Sequence, residues 1–333
     1  MEPTASRLLI SSQGYLRRLN CAVSWKNSVL HHGCIPLSKT QKSMTDRNQY
    51  LLELAKRNVK VYVANPKTKA AMVAGSVAEG LCDEYSDCDM SIYYDELPSE
   101  EELQLARQQN QGSERLWILG DRNEGGFAES YLVNGVECQF GHVTIAQWEK
   151  DISNILEGYD IQSPLVKAMS GTLVGIPLYG ETLIQQWKAK VANYPDGLAQ
   201  KMVESYLKFF AIWGMQERFA KRDTTLWYYQ ILVESAQNLL GVLSGLNRLY
   251  YSIFQFKRMS RFIEQMEIAP ENLAARLENL FHQEPPIAVN QLEALVRETV
   301  ELVEIHMPQV DVSSAKRRLG WRQQPWELDE SDR

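Results

Sequence analysis

One stretch limits the possible folds of this chain more than any other. From Val73 to Glu96 it reads VAGSVAEGLCDEYSDCDMSIYYDE. The apolar run KAAMVAG closes on Gly75-Ser76, and eleven positions after the serine comes Asp87-Cys88-Asp89, followed by alternating apolar and polar residues. The first run predicts a short buried strand ending in a turn, and CDMSIYY predicts a second strand. Side chains alternate along a strand, so Asp87, Asp89 and Ser91 share one face while Cys88, Met90 and Ile92 point into a core. The two carboxylates then stand about 7 Å apart, measured between alternate Cα atoms. Like charges held that close disfavour each other's ionisation. A divalent cation removes the repulsion. Oxygen ligands on a rigid strand suit Mg²⁺, which takes one or two carboxylates and leaves the rest to water and phosphate.

Taken singly these features say little, since an Asp-x-Asp is most often a solvated strand end and Gly-Ser a common turn. Together they set phosphate-binding backbone N–H groups beside a metal site. A third acid on a facing strand completes a two-metal clamp, in which one ion activates the attacking oxygen and the other the leaving oxygen. FAESYLVNGVECQFGHV supplies the candidates, two β-rich runs around Asn134-Gly135, a dipeptide suited to a tight hairpin. Glu137 is preferred, because Val136 and Cys138 on either side imply a buried opposite face. Glu129 on the first arm and Glu124 further off are its competitors.

The remaining elements arrange themselves around this unit. A helical pattern runs from Asp46 to about Tyr62, PSEEELQLARQQ opens with a good helix start, LWIL reads as a short strand, and a helix follows from about Thr144 to Leu156. Residues 44–157 are therefore expected to form a small α/β domain with a mixed sheet. Beyond Gly158 no convincing strand pair is legible. SYLKFFAIWGM, TTLWYYQILVESAQNLLGVLSGLNRLYY, PENLAARLENLF and AVNQLEALVRETVELVEIH read as helices separated by breakers, making 158–308 an all-helical domain and the whole chain α+β. The aromatic stripe Tyr206, Phe209, Phe210, Trp213 reads as core. Residues 309–333 read as a polar, loosely held tail.

GSVAEGLCDEYSDCDMSIYY resembles the active-site signature of the DNA polymerase β-like nucleotidyltransferase superfamily: an apolar strand, Gly-Ser, nine to thirteen residues, then Asp-apolar-Asp. Within it the chain is similar to the small-molecule branch, the aminoglycoside- and lincosamide-type enzymes with a C-terminal helical domain. The motif covers about 20 residues, and the order of elements extends the likeness to roughly 46–305. The resemblance implies that Gly75 and Ser76 hold a nucleoside triphosphate, that Asp87 and Asp89 ligate Mg²⁺ (two ions in all), and that Glu137 is the third carboxylate and a base for an acceptor hydroxyl. The family often has aspartate at that third place and an aliphatic residue where Cys88 stands. The implied reaction moves a nucleoside monophosphate, AMP from ATP before other nucleotides, to a hydroxyl and releases pyrophosphate. A small-molecule acceptor is favoured over a protein. The alternative is an inactive nucleotide sensor or protein-interaction module of the same fold. In LNRLYYSIFQFKRMSR, Arg248, Lys257, Arg258 and Arg261 lie near several aromatics. Lys257 is a candidate for reaching phosphate and Tyr251 for stacking on a base, against the plainer reading of a basic helix edge over an aromatic core.

Bulk properties narrow the rest. The 333 residues carry a net charge of -7, which disfavours RNA as a partner. No apolar run is long enough to span a membrane, and a cytoplasmic location is expected. Residues 1–43 differ, with six Lys/Arg against one acid, leaving -12 for the chain from Met44 on. This basic extension reads as an over-called start before Met44, where Thr45 or Asp46 caps a helix, in preference to a transit peptide. Five cysteines without a CxxC pair read as thiols of a reduced interior. His142, His282 and His306 lack partners at metal spacing and read as structural. Leu81 stands where a P-loop opening at Gly75 would need lysine.

Overall fold

The structure, a computed structural model, describes residues 46–326, so the basic extension, Met44, Thr45, Cys21 and Cys34 lie outside the described residues. These fall within one compact unit. Helix α1 (Asp46–Val63) leads into β1 (Thr68–Val73), a single helical turn α2 (Gly75–Glu79) and β2 (Cys88–Tyr94). Next come α3 (Glu100–Gln109), β3 (Trp117–Asp121), β4 (Gly126–Val133), β5 (Val136–Thr144) and α4 (Ile145–Leu156). Helix α3 begins where the sequence places it, because Ser99 and Glu102 form a reciprocal capping box that satisfies two otherwise unpaired N–H groups. The β4–β5 hairpin turns on Asn134 and Gly135, both at positive φ, as a two-residue loop matching the strand twist requires.

The sheet is mixed, in the order β3-β4-β5-β2-β1-β6, where β6 is Ile176–Tyr179. Its centre is the parallel pair β2–β5, with Cys88 beside Cys138 and Asp89 beside Gln139. This sixth strand follows α5 (Val166–Val174) and pairs antiparallel with β1. This corrects the expectation that residues 158–308 are all helical, since one strand there joins the sheet. IPLY is short, only half-buried and without alternation, so nothing local marks it as a strand.

Each face of the sheet has its own apolar cluster. Cys88, Met90, Ile92, Cys138 and Phe140 pack on one side against Leu51, Leu54 and Val59 of α1. Ala70, Met72 and Tyr93 face the other way and join Trp148, Ile152, Met169 and Trp187. That second cluster continues without a break into the helical half. It takes in α6 (Glu181–Ala192), α7 (Asp196–Tyr206), α8 (Gln216–Ala220) and α9 (Thr225–Leu246). A 3-10 turn at Ile253–Arg258 precedes α10 (Met259–Ile263), α11 (Leu273–Asn279), α12 (Pro285–His306) and α13 (Ser313–Gly320).

Three local expectations in this half are corrected. SYLKFFAIWGM is not a helix: α7 ends at Tyr206, and an irregular stretch leads to a 3-10 turn at Ile212–Met215. Phe209, Ala211, Ile212 and Trp213 are all buried, and a helix would have spread these near-consecutive residues around its whole circumference. The basic segment after Leu246 is likewise broken, with Arg248 at φ 51. Finally, the described part of the tail is held. Ala315 and Leu319 are buried, and the Trp213 indole N–H donates to the Arg318 carbonyl at 3.0 Å.

The α1 side of the sheet also buries a charge. Glu129 has no exposed surface; Arg115 Nε donates to it at 2.6 Å and the Arg107 guanidinium lies 3.6 Å away. His142 Nε2 sits 3.5 Å from Glu129 Oε1, while its Nδ1 shares a 2.9 Å hydrogen bond with the Tyr94 hydroxyl. Burial alone would raise the Glu129 pKa, but His142 and Arg115 outweigh it and hold the carboxyl below its usual range. Burial keeps His142 low, in line with a structural role. Breaking such a pair strands a buried charge. Glu129→Gln is therefore expected to destabilise the fold by about 3 kcal/mol in urea denaturation, while leaving any ligand-binding property of the opposite face unchanged.

Candidate functional site

Strand alternation decides which acids meet. With Cys88, Met90 and Cys138 buried on the α1 side, the intervening Asp87, Asp89, Glu137 and Gln139 project from the other face. Because β2 and β5 are parallel and in register, Asp87 neighbours Glu137 and Asp89 neighbours Gln139. Glu129 pairs with Phe140 across β4–β5 and lies on the α1 face. It cannot reach the pair, and Glu124 sits in a 3-10 turn before β4.

The pair is fitted into its surroundings by close contacts. Gln139 Nε2 donates to Asp87 Oδ2 at 2.8 Å. The Ala74 N–H donates to the Asp89 carbonyl at 2.9 Å, drawing the end of β1 against the start of β2. Gly75 then turns at φ 58, and a Cβ there would overlap the Asp89 carboxylate Oδ2. Glycine is required at this position twice over, for the positive φ and for the room Asp89 occupies. Ser76 is half-buried; its hydroxyl accepts from the Cys82 thiol at 3.8 Å, and its carbonyl accepts from the Leu81 N–H at 2.9 Å. Cys82, Cys88 and Cys138 are free thiols.

Electrostatically, Asp89 is the focus. Burial, then the Asp87 charge, push its carboxyl up to about 6, with a smaller push from Glu137; Lys167 and Lys257 pull the other way. Lys257 belongs to the 253–258 turn and Lys167 to α5, and both ammonium groups lie over the Phe254 ring, at 5.9 and 4.5 Å. The structure thus brings Asp87, Asp89, Gly75 and Lys257 together and adds Lys167 and Gln139, which sequence reasoning missed. The alternation that singled out Glu137 also puts Gln139 on that face. No local signal marks Lys167, which arrives on a helix about 80 residues downstream.

Two expected residues take other places. Tyr251 is buried in the helical core, packed on Tyr206 and Phe262, and burial raises its phenol pKa. It offers no face on which a base stacks. Glu137 is on the expected face, but the Trp117 indole N–H donates to its Oε1 at 2.9 Å. Among the described residues no three His, Cys, Asp or Glu side chains converge closely enough to hold a metal. Asp87 and Asp89 by themselves fit one hard divalent cation: two oxygen donors on a rigid strand, one of them with its ionisation suppressed by burial and by the other.

No family model matches the chain, and no curated protein matches it. Among solved structures it is similar to a nucleotidyltransferase-like protein from Exiguobacterium sibiricum, at 14% identity and a TM-score of 0.34, covering 84% of this chain and 85% of that one. No helix among the described residues is long and apolar enough to cross a membrane.

The raised Asp89 pKa has a thermodynamic consequence of definite sign. The folded state keeps this proton up to about pH 6, whereas the unfolded chain loses it near pH 4. Between those values the folded state binds more protons, so this group's contribution to stability falls as pH rises. Asp89→Asn is expected to gain stability relative to the unsubstituted protein as pH goes from 5 to 7.5 without metal. Urea denaturation at both values measures the difference, and saturating Mg²⁺ is expected to shrink it.

Proposed function

We propose that this chain is a Mg²⁺-dependent nucleotidyltransferase that moves a nucleoside monophosphate, AMP from ATP in the first instance, to an acceptor hydroxyl with release of pyrophosphate. One observation carries this reading. A glycine turn ends β1 directly against a half-buried Asp-x-Asp pair at the start of β2, and two lysines from the helical half face that pair. Paired acids that serve only as a solvated strand end need neither the glycine nor the lysines.

In this proposal Asp87 and Asp89 hold the cation, and Gln139 keeps Asp87 in place through its 2.8 Å hydrogen bond. The cation would supply charge neutralisation on the phosphates and relieve the repulsion between the two aspartates. Gly75 and Ser76 offer backbone N–H groups to the phosphate chain. Lys167 and Lys257 add positive charge where negative charge builds up on the departing pyrophosphate, which is where phosphoryl-type transfers gain most. Glu137, one strand away and oriented by Trp117, is assigned to the acceptor. Its carboxylate takes the hydroxyl proton as that oxygen bonds to the α-phosphorus and the bond to pyrophosphate breaks.

A non-catalytic nucleotide sensor would share the acid pair and the glycine but need no base. A thermal-shift titration of the full chain with each nucleoside triphosphate, with and without Mg²⁺, tests the common part. The expected result is a Mg²⁺-dependent rise of about 3 °C or more for one nucleotide, abolished in Asp87→Asn. No shift with any nucleotide in well-folded protein would sink the proposal. Glu137→Gln then separates the two readings: transfer is expected to fall at least a hundredfold with nucleotide binding retained, while a sensor has no rate to lose.

A further inference from the structure

Beside Leu81, in the connection that leads to the acid pair, the helical half leaves a cavity of about 560 Å³, a size that suits a small organic molecule. Its walls are strongly divided. Val233 of α9, Phe256, Leu277 of α11 and Phe281 form an apolar lining, and Leu81, from the connection between Gly75-Ser76 and Asp87, closes one side. The charged groups come mainly from one short segment, Lys257, Arg258 and Arg261, against the single carboxylate of Glu278.

These three cations are not equally engaged. Arg258 Nη2 donates to the Leu81 carbonyl at 2.9 Å and lies 3.5 Å from Asp83 Oδ2, so it ties the helical half to the loop before the acid pair. Glu278 stands 3.4 Å from His282 Nε2. Lys257 and Arg261, by contrast, make no hydrogen bond or ion pair within 4 Å of a carboxylate among the described residues; Lys257 has only the Phe254 ring and the field of Asp89. Two uncommitted cations on the rim of an apolar cavity attract an anion and repel a polycation.

We infer that this cavity takes the acceptor of the transfer, and that the acceptor is an organic anion with an apolar body. Calling the ligand an acceptor rests on the reading above; selection of an apolar anion rests on the cavity alone. Nucleotide phosphates are assigned to a cation on Asp87 and Asp89 and to Lys167 and Lys257, whereas Arg261 on the cavity rim has no part in that assignment and is left for a different anion. Lys257 belongs to both neighbourhoods. It lines the cavity and acts on Asp89, which puts an anion bound here beside the carboxylates.

The test uses two fluorescent probes of similar shape on the full chain: 8-anilinonaphthalene-1-sulfonate, an apolar anion, and N-phenyl-1-naphthylamine, its uncharged counterpart. Arg261 is exposed, so Arg261→Glu is compatible with an intact fold, which circular dichroism verifies. Saturable sulfonate binding that weakens about tenfold in Arg261→Glu, the loss of one charged contact, with the neutral probe unaffected, is the expected result. Saturating ATP and Mg²⁺ should leave the sulfonate bound. An affinity unchanged by Arg261→Glu, or lowered equally for both probes, overturns the selection of an anion. Competitive displacement by ATP hands the cavity to the nucleotide and overturns the acceptor assignment. If no nucleotide shifts the melting temperature while the sulfonate still binds through Arg261, the transfer reading falls and the anion cavity stands.

Discussion

The parallel pairing of β2 with β5 is the constraint on which the site depends. It puts Cys88 beside Cys138 with both side chains buried, and a strand's period of two then forces Asp87, Asp89, Glu137 and Gln139 onto the opposite face. A slip of one residue in either strand would carry carboxylates into the α1 core and thiols to the site. Desolvating those charges without partners costs far more than the slip could recover. The free cysteines are thus part of the site's architecture: small apolar residues that fix the register of the acids between and beside them.

The two faces handle buried charge in opposite ways. On the α1 side the Glu129 charge is compensated within the protein by Arg115 and Arg107, with His142 beside it. On the other side Asp87 and Asp89 have an amide and two lysines near them but, among the described residues, no cationic group in an ion pair, and burial together with the Asp87 charge raises the Asp89 pKa. In the first arrangement the charge is compensated by two arginines. The second leaves its repulsion uncompensated by any ion pair among the described residues, which is what the proposed cation would relieve, and Glu129, an attractive acid in the sequence, lies on the other face.

The helical half does more than enlarge the core. Its apolar cluster is continuous with the sheet's second face, and that continuity brings Lys167 on α5 and Lys257 on the 253–258 turn over the acid pair. Arg258, bonded to the Leu81 carbonyl, pins the same turn to the loop that separates Gly75-Ser76 from Asp87. The cavity lies against this junction.

What the sequence by itself determined was everything whose cause is local. Alternation in CDMSIYY and GVECQF put the acids on one face and the cysteines on the other, Asn134-Gly135 specified the hairpin, Ser99 and Glu102 specified a helix start, and Gly75-Ser76 marked the end of β1. Tertiary structure alone decided what depends on segments far apart in the chain. It added β6, a four-residue strand with no pattern of its own that forms because β1 has a free edge. It bent SYLKFFAIWGM out of helix, since burying Phe209, Ile212 and Trp213 together with Ala211 outweighs helix propensity. Tyr251 and Lys257, six positions apart, it sent respectively into the core and toward the acid pair, because the 3-10 turn at Ile253–Arg258, which carries Lys257, redirects the chain after Tyr251. Local periodicity reports which side of an element faces inward; what stands opposite it is set by packing between elements, and only the folded chain contains that information.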